Sequence, residues 1–360
     1  MPYCYYTCNL LPLHLVARTG HSPRWLGNQL RDPNAPARRD ALSVHPMTCP
    51  FVTKLVAAAE EVLGERTGAP GSGEASTTAG TRGGDCLVVP GGCDAMRRLG
   101  DLLAATYPDR VFVLQMPRSS GPEVAATLAS DLARLEQWLR ARMPGDLQAG
   151  SAAAVSAEPP TLDYPRPPRP GGVFLVSGPL SDDSLLGLID KLGAHVSGLE
   201  SCTSPDRWKP LAPGSRDSGS GYEALAADVL AAGMCPRRST AERREHLVRR
   251  LDETNASSII YARQSFCDPG AYDALLVAQL AQERNLPYLE IEVDFPFDAN
   301  GPLRTRVEAF LEAQLLDDDL LNTDDLFNDE PGSADEAAAA GGAAPVGGAS
   351  AAARPRVEET

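Results

Sequence analysis

The chain has 360 residues, a hydrophobic fraction of 43% and a formal net charge of −15. That length allows two domains of ~100–200 residues each, and the apolar content argues against a wholly disordered chain. There is no basic stripe with interleaved aromatics to read nucleic acid, and no apolar run reaches the ~20 residues that span a membrane.

The elements follow in chain order. The N-terminal MPYCYYTCNLLPLHLVARTG lacks a basic leader region, and its short apolar run is interrupted by His14, so the reading is a cytoplasmic protein. MTCPFVTKLVAAAEEV places Cys49 before Pro50, a residue suited to a first helical turn. Residues 64–84 are a Gly/Ser/Thr-rich insertion. CLVVP (86–90) reads as a strand, AMRRLGDLLAAT as a helix and VFVLQM (111–116) as a strand. Val124, Leu128, Leu132, Leu135 and Leu139 recur at the spacing of one face of a long helix.

An Ala/Pro-rich linker over 145–170 follows. Then come a strand at GVFLVSG (172–178), a helix expected to be capped by Ser181, and a short strand near HVSGLE. Helices near 221–232 and 239–253 lead to SIIYA (258–262), a helix over 271–284, a strand in LPYLEIEV (286–293) and a helix over 303–315. Beyond Leu316 there are 11 acidic residues against two Arg, so nine of the fifteen surplus negative charges lie in this tail. Its last part is Ala/Gly-rich and reads as disordered.

Short strands separated by helices predict an α/β protein of two Rossmann-like domains, each a short parallel sheet flanked by helices. The boundaries drawn are an N-terminal domain over 1–144, the linker over 145–170, a C-terminal domain over 171–316 and the tail over 317–360.

Eight cysteines are too sparse for a disulfide scaffold, and no CxxC pair occurs. Three share one local setting. Cys49, Cys93 and Cys267 each precede a helix, and Cys93 and Cys267 also follow a strand. Helix N-termini favour thiolates and present N–H groups to sulfur. The carboxyl ends of parallel strands are where α/β sheets hold ligands. Two readings stand: small buried residues at tight packing points, or ligands of a 4Fe–4S cluster in a crevice between the domains.

MTCPFV, GGCDAMRRL, IIYARQSFCD and YLEIEVDFPFDANGPLRTRVEAFLE together resemble the 2-hydroxyacyl-CoA dehydratase family. That family includes the cluster-bearing dehydratase subunits, the benzoyl-CoA reductase relatives and the double-cubane-cluster proteins. YYTCNLLPLHLVARTGHSPRWL and LQMPRS are similar to further blocks of it. The resemblance implies that Cys49, Cys93 and Cys267 bind a 4Fe–4S cluster. It implies a lyase subunit working with a related dehydratase subunit or as a homodimer. A separate ATP-hydrolysing iron–sulfur activator would supply a low-potential electron, and a 2-hydroxyacyl-CoA would be dehydrated through a ketyl radical or an acyl-CoA thioester reduced.

Cys202 and Cys235 resemble positions where double-cubane proteins carry extra cysteines, which makes an 8Fe double-cubane cluster the alternative. A convincing sixth ligand is lacking, Cys8 and Cys86 being the nearest candidates. Gln264, three residues before Cys267, is a candidate oxygen ligand to the open iron. Glu292 is either a crevice residue or an ion-pair partner of Arg304 or Arg306. Family members carry an extra helical region where this chain has its short linker. If that region forms the acyl-CoA pocket, this chain is instead a non-catalytic electron-transfer subunit.

Overall fold

The computed structural model describes residues 1–29, 44–64, 84–143, 171–204, 221–232, 235–298 and 301–323, with side chains described up to 314. Most of the 64–84 insertion, the 145–170 linker and the tail beyond 323 lie outside the described residues.

Two four-stranded sheets organise the chain. The first contains β1 (Tyr3–Tyr6), β2 (Ser22–Trp25), β3 (Cys86–Gly91) and β4 (Val111–Gln115), in the order β2-β1-β3-β4. The second contains β5 (Val173–Ser177), β6 (Val196–Ser201), β7 (Ser258–Gln264) and β8 (Tyr288–Val293), in the order β6-β5-β7-β8. Every pairing is parallel. Each sheet therefore starts at an inner strand, moves outward, then crosses back to the other side. The point of reversal lies between β1 and β3 in one sheet and between β5 and β7 in the other. Open α/β sheets bind ligands outside the carboxyl ends of their strands at such a point.

Inner strands read as continuous apolar runs because helices cover both faces. All residues of the inner strands β3 and β5 are buried, and so are those of the edge strand β6, while the edge strands β4 and β8 are only partly so. β2 is an edge strand, which accommodates Pro23.

The helices are α1 (Leu13–Arg18), α2 (Pro50–Leu63), α3 (Asp94–Thr106), α4 (Pro122–Arg140), α5 (Ser184–Lys191), α6 (Tyr222–Ala232), α7 (Thr240–Thr254), α8 (Asp268–Glu283) and α9 (Gly301–Thr323). The leucine face expected on α4 is real: Leu128, Leu132, Leu135 and Leu139 are all buried. The Ser181 cap is not formed. α5 begins three residues later, and Asp182 Oδ1 accepts the Ser184 N–H at 2.8 Å instead. The Asp182 carboxylate, one residue closer to the helix than Ser181, satisfies the orphan donor. At α7, Ser239 accepts from the Glu242 N–H at 3.4 Å and its hydroxyl donates to Glu242 Oε2 at 2.9 Å. Asn255 closes that helix in the left-handed region at φ 44°.

Residues Met1–Gln314 form one compact unit, and Leu315–Thr360 a second. Within the first unit the two sheets are stitched together by a crossing of the chain. α6 follows β6, yet Leu225, Ala226, Val229 and Leu230 are buried in the core of the first sheet. Tyr222 donates to Glu136 of α4 at 2.8 Å and lies under Arg18 of α1 at 5.5 Å. From the other end, Phe295 meets Phe51 edge-on at 5.0 Å, and Phe51 stacks on Trp25 at 6.3 Å.

A buried charge network fixes the second half. Arg243 on α7 donates to both oxygens of Asp273 on α8, at 2.8 and 2.9 Å, and to Glu200 on β6 at 2.9 Å. His246 meets the other Glu200 oxygen at 2.9 Å, and Tyr261 on β7 donates to Asp273 at 3.1 Å. Burial opposes the Arg243 charge, but the two carboxylates outweigh it and hold the guanidinium protonated. Four elements are thereby pinned around the start of α8.

Candidate cluster site

Each of the three singled-out cysteines is the residue immediately before a helix. Cys49 precedes α2, Cys93 precedes α3 and Cys267 precedes α8. Two of them occupy equivalent places in the two halves, since β3 and β7 are the corresponding inner strands of sheets with the same order. Cys93 follows β3 and Cys267 follows β7, both at the carboxyl edge beside the point of reversal. The turn into Cys267 passes through Phe266 in the left-handed region at φ 54°. Such a conformation costs a non-glycine residue ~1–3 kcal/mol and clusters at functional sites.

The helix starts aim their N–H groups at sulfur. The N–H groups of Val52 and Phe51 lower the Cys49 thiol, those of Met96 and Ala95 lower Cys93, and that of Gly270 lowers Cys267, although none of the three sulfurs makes a side-chain cap hydrogen bond. A Cβ at Gly270 would sit 3.2 Å from the Cys267 sulfur, so glycine there allows the close approach.

The sulfurs feel one another. Burial is the largest effect on Cys267, and its pKa is pushed up to about 12 with contributions from Cys49, Cys93 and Cys235. Cys93 is likewise raised, by burial first and then by Cys235 and Cys49. Burial also raises Cys49. Helix N-termini alone would favour thiolates. Their N–H groups do lower each pKa here, but desolvation and neighbouring sulfurs prevail.

Cys235 is the fourth cysteine of this group. Cys202 lies just past β6. Its carbonyl accepts from the Asn9 side-chain amide, whose Oδ1 faces the Cys8 sulfur at 3.9 Å. Of the two candidate sixth ligands, Cys86 pairs in register with Cys4 inside the first sheet. Both are buried, and Cys86 is lowered to about 6, chiefly by Cys4 and then by His21, against the opposing effect of burial. Among the described residues no three His, Cys, Asp or Glu side chains are gathered to hold a single metal ion. A cubane instead takes its thiolates at separate corners, one per iron.

Gln264 ends β7 and is 2% exposed. Its amide nitrogen donates to the Pro179 carbonyl at 3.0 Å, while its Oε1 is buried with no hydrogen-bond partner. Gly178 makes room for it, since a Cβ there would lie 2.6 Å from Gln264 Cγ. A buried acceptor left open beside the Cys267 turn is chemically suited to an electrophilic ligand. Glu292 does not pair with Arg304 or Arg306 as one of the two sequence expectations had it. It accepts from Arg263 at 2.6 Å and from Ser265 at 3.0 Å, and Arg306 bonds the Glu290 carbonyl instead. Arg263 is its neighbour across the parallel ladder, so it reaches Glu292 without a bend.

Arg237 was not singled out from the sequence. It is 6% exposed and donates across to the carbonyls of Met116, at 3.3 Å, and Pro117. Its aliphatic end and Nε lie against Gly92, next to Cys93. The only advance signal was its place two residues after Cys235.

Comparison with known proteins bears on this site. The family model described as 2-hydroxyglutaryl-CoA dehydratase, D-component, matches residues 169–313. The chain is also similar to a protein of Escherichia coli (strain K12) named "Putative dehydratase subunit YjiM". The two are 28% identical over 148 residues, which is 40% of this chain and 38% of the relative. The match therefore spans well under two thirds of that relative's length. Cys267 lies inside the stretch matched by the family model, and Cys49 and Cys93 precede it.

Proposed function

We propose that this chain, a relative of the 2-hydroxyacyl-CoA dehydratases, is an iron–sulfur component of a dehydratase-type system acting on acyl-CoA thioesters. Cys49, Cys93 and Cys267 would hold a 4Fe–4S cluster, with Gln264 facing the iron that lacks a cysteine. When bound, such a cluster supplies a single low-potential electron and a Lewis-acidic iron for a thioester carbonyl. The protein's part is to hold the three sulfurs at helix N-termini, donate N–H bonds to them and exclude water. The partners in this reading are a related dehydratase subunit and an ATP-hydrolysing iron–sulfur activator. The observation that supports it is the placement of Cys49, Cys93 and Cys267, each at the head of a separate helix, with Cys93 and Cys267 at equivalent strand ends of two sheets of the same order.

The test is anaerobic mixing of the iron-loaded chain with an activator and MgATP. Bleaching of the visible cluster absorbance, dependent on both, is the expected result. An iron-loaded chain that the activator cannot reduce contradicts the reading.

A second reading rests on Cys235, whose sulfur acts on both Cys93 and Cys267. If Cys235 takes the fourth corner, the iron is closed to substrate and the chain only carries electrons. Thioester-induced change in the cluster's EPR signal, with and without Cys235→Ser, separates the two. An open iron responds in the parent chain, while a closed one responds only in the variant.

A further inference from the structure

Arg237 is buried, yet among the described residues no carboxylate pairs with it. Its neighbour Arg238 has Glu242 at 3.1 Å, and Arg243 has Asp273 and Glu200. Arg237 has main-chain carbonyls from Met116 and Pro117, and its Nε has no hydrogen-bond partner at all. A buried charge held only by neutral dipoles is costly unless an opposite charge lies close. The guanidinium packs against the turn that delivers Cys93. A Cβ built on Gly92 would stand 3.3 Å from Arg237 Nε and 3.4 Å from its Cδ. The following residue is Cys93, and Cys235 stands two residues before Arg237 in the chain. The anchoring carbonyls belong to the first half and Arg237 to the second, so the side chain bridges the halves beside the cysteines.

We propose that Arg237 is a positioning residue that supplies the counter-charge to the thiolate-held cluster and raises its reduction potential. This rests on the cluster reading above. A cubane held by thiolates is anionic, and gaining an electron makes it more so. A fixed guanidinium at the Cys93 turn stabilises the reduced form more than the oxidised form. Net charge and hydrogen bonding around a cluster are among the terms that set iron–sulfur potentials. The same group holds the Cys235 segment against the Gly92–Cys93 turn.

The test uses the full chain, loaded anaerobically, in the forms Arg237→Gln and Arg237→Lys. Iron content, the circular dichroism spectrum and the midpoint potential from a spectroscopic redox titration are the readouts. Arg237→Gln should keep its iron and lower the reduced-to-oxidised ratio at fixed poise about tenfold, equivalent to ~59 mV for a one-electron couple. Arg237→Lys keeps the charge and should stay within about threefold of the parent. A glutamine variant with full iron and an unchanged potential overturns the proposal. If the glutamine variant fails to hold iron, the lysine variant decides. Iron retained at a near-parental potential supports the charge role, and iron lost from a natively folded lysine variant overturns it. A parent chain that binds no iron contradicts the cluster reading instead, so the two failures are distinguishable.

Discussion

Asp273→Ala removes the carboxylate at the centre of the buried network in the second half. The perturbation is severe because three donors converge on this residue: two from Arg243, at 2.8 and 2.9 Å, and the Tyr261 hydroxyl at 3.1 Å. Side chains of both charged partners are 2% exposed or less. After truncation, Glu200 is the remaining carboxylate on Arg243 among the described residues, and the phenol loses its Asp273 acceptor. Breaking a buried pair by deleting one partner costs roughly 3–5 kcal/mol, against a total stability of about 5–15 kcal/mol for a typical protein. With a urea slope of roughly 2 kcal/mol per molar, the unfolding midpoint should fall by about 2 M. Asp273→Asn keeps the volume and one acceptor oxygen, so it should lose about 1–3 kcal/mol. Urea unfolding followed by circular dichroism measures both. A loss below about 1 kcal/mol for the alanine variant would refute the claim that this network pins α7 and α8 to the sheet.

Two further outcomes are expected. Replacing Cys49, Cys93 or Cys267 singly by Ala should each remove most of the bound iron while leaving the far-ultraviolet spectrum native, and full iron in any one variant removes that residue from the ligand set. Glu136→Gln should destabilise the docking of α6 by about 1–3 kcal/mol at neutral pH. Burial raises the Glu136 pKa, but hydrogen bonds from Arg18, Tyr222 and Arg140 dominate and leave it lowered. A carboxyl lowered in the fold contributes stability above its unfolded value of about 4.3 and loses it as the pH falls through the folded value. The gap between parent and variant should therefore close in acid, and a gap that persists unchanged at low pH contradicts this assignment.

How far the sequence disclosed this protein depended on whether the signal was local. The leucine face of α4 and the apolar runs of β3, β5 and β7 are periodic patterns, and the structure matches them. β1 and β2 were missed. YCYY is only four residues long, and SPRW contains a proline and a charge that only an edge strand admits. The packing of α6 against α4 was equally hidden, since Tyr222 and Glu136 are 86 residues apart. Among candidate site residues, the cysteines at the helix starts were legible from strand–turn–helix spacing. Arg237 was not, because its meaning comes from Gly92 and the Met116 and Pro117 carbonyls, all more than a hundred residues away. The helix-start argument also misjudged the thiols, as it weighed local N–H groups and not burial among other sulfurs.

Iron and acid-labile sulfide counted per chain after anaerobic purification test the central claim most directly. About four of each is the content of a single cubane, and that is the predicted result. A correctly folded chain with neither, even after anaerobic reconstitution, would contradict the account.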